Sequence, residues 1–245
     1  MIVSPAPPKG EITYPESDGK PLAESPIHIE ALIALRFALR TFFRERADVY
    51  IGANMFLYFV EGDLTEVVAP DVFVALGVPN RARRTYKVWE EGQVPAVIFE
   101  ITSESTRRED VRSKRSLYEE LGVHEYFLFD PLGEYLKPAL KKYQLREGSY
   151  VSVDGENLAS QMLGLEFRVD GEHLRVHDPA RGIDLLYPDE EETARQVAEE
   201  RALLETLRAE REAERAEREA AARQAAEAEV ARLRAEIEKL RGAQP

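Results

Sequence analysis

An α/β domain built on a mixed β-sheet flanked by helices, followed by a long charged helix, is the fold class that three features of the sequence predict. Val67–Leu76 (VVAPDVFVAL) and Pro95–Thr102 (PAVIFEIT) are apolar almost throughout, and strands without polar alternation belong to sheets covered on both faces. Helical and strand-like patterns alternate between His28 and Phe129, the order expected of helices layered on a sheet. After Pro188 the composition shifts abruptly to Glu, Arg, Ala and Leu, with no Gly or Pro before Gly242.

The elements follow in order. Residues 1–26 are rich in Pro, Gly and Ser and read as an irregular lead-in. A helix is expected from His28 to about Arg46, because Leu32, Leu35, Leu39, Phe42 and Phe43 share one side. Val49–Val60 reads as one strand closed by the turn Glu61-Gly62-Asp63. Gly77–Gln93 reads as a polar loop carrying Arg81, Arg83, Arg84, Lys87 and the single Trp, Trp89. Thr106 and Glu109 have capping-box spacing, which starts a helix near Arg107, and Gly122 stops it after Leu121. EYFLFDP is a further strand, and short strand-like pieces between Gly and Asp turns extend to Tyr187. The expected organisation is a domain over 27–188 and a charged helix over 189–245. Val230, Leu233, Ile237 and Leu240 fall at coiled-coil a/d spacing, while Ala202, Ala209, Ala213, Ala216 and Ala220 keep a similar period in a different register. A homo-oligomer, in the simplest case a dimer, is the expectation for such a tail; a single helix held by Glu/Arg pairs is the alternative.

Composition removes several function classes. Without Cys, disulfides, thiolate metal sites and cysteine nucleophiles are excluded together. No apolar run reaches the roughly 18 residues of a membrane span, and MIVSPAPPKG lacks the apolar core of a secretory leader, so a soluble, cytoplasmic protein is expected. Taken alone, the net charge of −13 argues against a nucleic-acid binder, since affinity for phosphates comes largely from Lys and Arg. A local basic rim around a cation site would still serve. Arg81, Arg83, Arg84 and Lys87, and then Arg107, Arg108, Arg112 and Arg115, bracket the acids described next and are candidates for phosphate contacts.

The chemistry resides in polar residues placed where the pattern wants apolar ones. Asp71 interrupts VVAPDVFVAL and Glu100 interrupts PAVIFEIT. A buried carboxylate must pair, protonate or bind a cation, and two on neighbouring strands favour a hard oxygen-liking ion, Mg²⁺ or Mn²⁺. Lys114 falls inside the apolar stripe of Val111, Leu117, Tyr118 and Leu121, with Asp110 at its edge as a supporting candidate. Two acids and a lysine around a divalent ion make a centre for phosphodiester hydrolysis. His28 lies on the apolar side of the first helix, as a core histidine or a support near that centre. His124, His173 and His177 lack the spacing of a metal cluster.

The segments APDVFVALGVPN, VIFEITSESTRREDVRSKRSLYEELGVHEYFLFDPLGEYLKP and LGLEF resemble the Uma-two family of endonucleases, in the PD-(D/E)xK superfamily with the restriction-endonuclease-like fold, from about residue 20 to about residue 185. The resemblance implies that Pro70-Asp71 is the PD half-motif and Glu100 the acidic position, both binding the metal. The motif lysine would stand at Thr102; in the family pattern it has moved to the following helix, as Lys114, the residue that helical periodicity singles out separately. A DNA endonuclease, with DNA ahead of RNA as substrate, is the leading expectation. The alternatives are a catalytically degenerate nuclease fold that binds nucleic acid or protein and is oligomerised by its tail, or a small-molecule hydrolase using the same acids.

Overall fold

A computed structural model describes residues 13–17, 25–102, 113–199, 201–202 and 205–206. The chain divides into two compact units, Met1–Pro188 and Asp189–Pro245.

In the first unit α1 (Pro26–Phe42) precedes β1 (Val49–Ala53), β2 (Leu57–Tyr58), β3 (Val67–Val68), β4 (Val72–Leu76) and β5 (Tyr86–Lys87). Then come α2 (Val88–Glu91), β6 (Val97–Ile101), α3 (Arg115–Leu121) and β7 (Glu125–Phe129). β8 (Leu140–Arg146), β9 (Ser149–Val153), β10 (Leu158–Ser160), β11 (Leu165–Asp170), β12 (His173–Asp178) and β13 (Ile183–Asp184) complete it. The central sheet has six strands in the order β1-β4-β6-β7-β8-β9. It is mixed: β6 and β7 are parallel, and every other neighbouring pair is antiparallel. A four-stranded sheet, β10-β11-β12-β13, and a three-stranded one, β3-β2-β5, accompany it.

Strand alternation divides the core into two layers. Val72, Val74, Val97, Phe99, Ile101 and Phe127 pack with Leu35 and Leu39 of α1 and with Phe167 and Val176 of the four-stranded sheet. Phe73, Ala75, Ile98, Tyr126 and Leu128 pack with Tyr118 of α3 and with Leu57 and Tyr86 of the small sheet. Both faces of the central strands are therefore covered, which is why their sequences lack polar alternation. The architecture is the α/β fold with a mixed sheet flanked by helices that the sequence predicts.

The element boundaries differ from the sequence expectation for identifiable reasons. α1 begins at Pro26, in the first turn, where a proline loses no helical hydrogen bond, and the Ser25 hydroxyl accepts from the His28 N–H at 3.3 Å. It ends at Phe42 rather than Arg46. The strand expected over Val49–Val60 breaks at Asn54, which takes φ +44°, and resumes as β2 in another sheet; the Asn54 N–H is held by the carbonyls of Pro70 and Asp71, each at 3.1 Å. Val67–Leu76 likewise divides at Pro70, which has no N–H to give a ladder, so that β3 and β4 join different sheets. The loop expected over Gly77–Gln93 contains β5 and α2, because Tyr86 buries its ring and β5 pairs in parallel with β2. Gly122 closes α3 in the left-handed region at φ +79°, as a helix stop requires.

In the second unit residues 189–199, 201–202 and 205–206 are helical, and Arg195 pairs with Glu192 and Glu199 one turn away on either side. The seam Val230, Leu233, Ile237 and Leu240, the capping pair Thr106 and Glu109, and Asp110 lie outside the described residues. Among the described residues, no helix is long and apolar enough to cross a membrane.

Candidate active site

Asp71 stands just before β4, 9% exposed. β4 and β6 pair from Val72 opposite Phe99 onward, so Asp71 lies just beyond the end of that ladder. Asp71 Oδ2 accepts the Ile101 backbone N–H at 2.6 Å, and Oδ1 lies 3.3 Å from His28 Nε2. His28 is itself buried, in the first turn of α1. The end of α1 is thus brought to Asp71 through that histidine.

Glu100 is 1% exposed. Val97, Phe99 and Ile101 of β6 point to the α1 layer, so the period of two sends Glu100 to the α3 layer with Ile98. There both of its oxygens are engaged. Lys114 Nζ donates to Oε2 at 2.9 Å, and the Tyr118 hydroxyl donates to Oε1 at 2.6 Å. Lys114 caps the start of α3 with helical backbone angles, and Tyr118 follows four residues later, so one helix face supplies both donors. Burial, followed by the Glu100 carboxylate, holds the Tyr118 hydroxyl well above the usual tyrosine range, and the charge of Asp71 adds to the effect. Tyr118 therefore stays protonated as a fixed donor, and both acids act on the same buried phenol.

Two groups of contacts result, Asp71 with His28 and the Ile101 N–H, and Glu100 with Lys114 and Tyr118, joined in the backbone where Ile101 follows Glu100. Sequence reasoning treated Tyr118 only as part of an apolar stripe. The signal it carried was a hydroxyl on a core aromatic four residues from the misplaced lysine, since buried tyrosines seek a partner for that oxygen. Thr102, 3% exposed, has a hydroxyl without a hydrogen-bond partner among the described residues. Two other buried acids are accounted for by structure. Asp130 accepts the backbone N–H groups of Leu132, Gly133, Tyr135 and Leu136. Glu125 takes Lys142 at 2.8 Å and the Ser160 hydroxyl, tying β7 and β8 to β10.

The basic run after Gly77 is largely occupied. Glu91 receives Arg83 at 2.7 Å and Arg81 at 2.9 Å, Glu90 receives Lys87 at 2.9 Å, and Glu16 receives Arg84 at 3.0 Å. Arg107, Arg108 and Arg112 lie outside the described residues, and the Arg115 guanidinium sits 5.1 Å from the Tyr143 ring centre. His177 Nδ1 pairs with Asp184 at 2.9 Å.

Among the described residues, no three His, Asp or Glu side chains group as a metal cage. Two buried carboxylates from facing strands are a donor set of another kind. Each oxygen already has one protein partner but keeps a further lone pair, and Mg²⁺ is ordinarily held by one or two carboxylates while retaining waters and substrate oxygens. The pair fits such an ion.

The Uma2 family, described as "Putative restriction endonuclease", matches residues 5–170. A solved structure similar to this chain is "a putative nuclease belonging to DUF820 from Anabaena variabilis", at 14% identity and a TM-score of 0.44, covering 60% of this chain and 80% of that one. No curated protein matches significantly.

Proposed function

Starting from the Uma2 family of restriction-endonuclease-like nucleases, to which this chain belongs, we propose that it is a divalent-metal-dependent endonuclease acting on DNA, with Asp71, Glu100 and Lys114 at its centre. The observation that carries the reading is the Lys114 ammonium, 2.9 Å from the buried Glu100 carboxylate, whose neighbour Ile101 gives its backbone N–H to the buried Asp71.

Asp71 and Glu100 would hold Mg²⁺ or Mn²⁺, which supplies charge neutralisation at the scissile phosphate and a more acidic bound water. Hydrolysis forms a bond from water oxygen to phosphorus and breaks one bridging P–O bond, leaving a phosphomonoester and a free hydroxyl. Lys114 would donate to the attacking water or to a non-bridging oxygen as negative charge grows there. Glu100 orients that ammonium. Tyr118, holding the other oxygen of Glu100, fixes the carboxylate so that the lysine and the metal position share one geometry. The Ile101 N–H and His28 do the same for Asp71. With Lys114 on α3, the lysine at Thr102 that the usual motif would have is not required.

The test is cleavage of supercoiled plasmid, linear duplex and single-stranded DNA, with RNA in parallel, in Mg²⁺, Mn²⁺ or EDTA, using Glu100→Ala as control. Metal-dependent cleavage of DNA that the control lacks is expected. Cleavage that survives EDTA or persists in Glu100→Ala would refute the proposal.

A further inference from the structure

A concave pocket of about 600 Å³ lies at the other end of α1 from the acids, lined by Arg36, Arg40, Arg44, Tyr50, Arg81 and Arg83 among others. Arg36 and Arg40 lie one turn apart on one side of α1, and Arg44 follows in the turn just past its end. Arg81 and Arg83 come from the segment after Pro79. In a chain of net charge −13, five guanidinium groups around one hollow are a local reversal of sign.

Part of that charge is answered within the protein. Glu91 holds Arg83 and Arg81, and Glu45 lies 3.7 Å from Arg44. Arg36 and Arg40 have no carboxylate partner among the described residues. Arg36 is half-buried, and burial together with the charge of Arg40 pushes its guanidinium pKa down. A partly desolvated cation beside another cation calls for an anion. Arg83 is already fixed in place: it lies over the Tyr50 ring, 4.2 Å from its centre, and donates to the Pro79 carbonyl at 2.9 Å. Such fixed donors lose little freedom when a ligand arrives.

We propose that this pocket binds phosphates of a nucleic acid strand at a site separate from the acid pair, holding the substrate at a set distance from it. The proposal rests on the nuclease reading for its substrate class and on the arginine pocket for its place. α1 is the ruler. His28 touches Asp71, and Arg36 and Arg40 stand further along the helix by about 12 and 18 Å at about 1.5 Å per residue. That span is roughly three to five base-pair steps at about 3.4 Å each. Guanidinium groups suit phosphate oxygens because they donate in pairs from one plane.

Fluorescence anisotropy with the full chain, in EDTA so that no strand is cut, tests this on a labelled single strand and its duplex. The double variant Arg36→Gln/Arg40→Gln is compared with wild type and with Arg181→Gln, an exposed arginine elsewhere. The double variant should lose at least about tenfold in affinity, and its salt dependence should be shallower by about 0.7–0.9 per lost phosphate contact; Arg181→Gln should match wild type. Circular dichroism checks the fold, and the single change Arg40→Gln at an exposed position serves if the double variant unfolds. No binding by wild type, or wild-type affinity and salt slope in the variants, would overturn the proposal. Inorganic phosphate competing as tightly as the oligonucleotide would mean a free-phosphate pocket and would overturn the strand-binding form. Glu100→Gln separates the two readings: strand binding by wild type and Glu100→Gln without cleavage by either in metal would end the nuclease reading and leave the pocket standing.

Discussion

Replacing Tyr118 by Phe removes one hydroxyl from the candidate site and little else. The tyrosine is fully buried, its oxygen donates to Glu100 Oε1 at 2.6 Å, and Glu100 is 1% exposed. Phe keeps the ring and its edge-on packing against Tyr126, 5.2 Å between centres. A hydrogen bond to a charged group contributes about 1.5–3 kcal/mol, and the carboxylate keeps its desolvation cost when a donor is lost. Lys114 still neutralises Glu100 through Oε2, which sets the expected loss near the middle of that range, about 2 kcal/mol. For a chain of this size the corresponding fall in Tm is about 4–8 °C. Denaturant unfolding in EDTA at pH 7, followed by circular dichroism, measures it. The same change in a Glu100→Gln background should cost less by about 1 kcal/mol, since the acceptor is then a neutral amide. A loss under about 0.5 kcal/mol, or an equal loss in both backgrounds, would refute the reasoning.

Three further outcomes are expected. Mg²⁺ at ten times its Kd should stabilise wild type by about 1.4 kcal/mol through mass action, and Asp71→Asn should keep the fold but lose that shift; equal shifts in both proteins would put the ion elsewhere. Tyr86, Tyr118 and Tyr150 are all held above the ordinary tyrosine pKa, by burial first. Because the folded values are the raised ones, this stability is whole below about pH 10 and declines above it, by up to about 1.4 kcal/mol per pH unit for each tyrosine; denaturation midpoints that stay flat from pH 9 to 12 would contradict this. Truncation after Pro188 should leave a folded unit that still binds metal but associates more weakly, if the heptad spacing of Val230, Leu233, Ile237 and Leu240 in the sequence marks a helix seam; identical sedimentation equilibria for the two lengths would show the tail to be a spacer.

The central sheet was legible because β4, β6 and β7 are apolar on both faces, a pattern few other environments produce. Asp71, Glu100 and Lys114 were legible as violations of the same pattern; Lys114 pairs with Glu100, and Asp71 accepts the backbone N–H of the next residue, Ile101. Their roles in catalysis are a separate matter, for assay. The breaks at Asn54 and Pro70 were harder to see, since each depends on which sheet the next strand joins, a choice made by tertiary pairing. Tyr118 was hidden by its own ring, which fits an apolar stripe whether or not its hydroxyl has work. The arginine pocket joins α1 to a segment nearly forty residues away, and helical spacing alone marks Arg36, Arg40 and Arg44 as a solvated face.

The claim that Asp71 and Glu100 hold one ion between them is tested most directly by single-turnover DNA cleavage rates for Asp71→Asn, Glu100→Gln and the double variant at a fixed Mn²⁺ concentration. Each single change should lower the rate by about 10²–10³-fold or more, the scale of removing one preorganised electrostatic contact. Groups that act as a unit are strongly non-additive, so the double variant should be scarcely slower than the worse single one. Losses that multiply, with the double variant slower by the product of the two single effects, would contradict a shared ion.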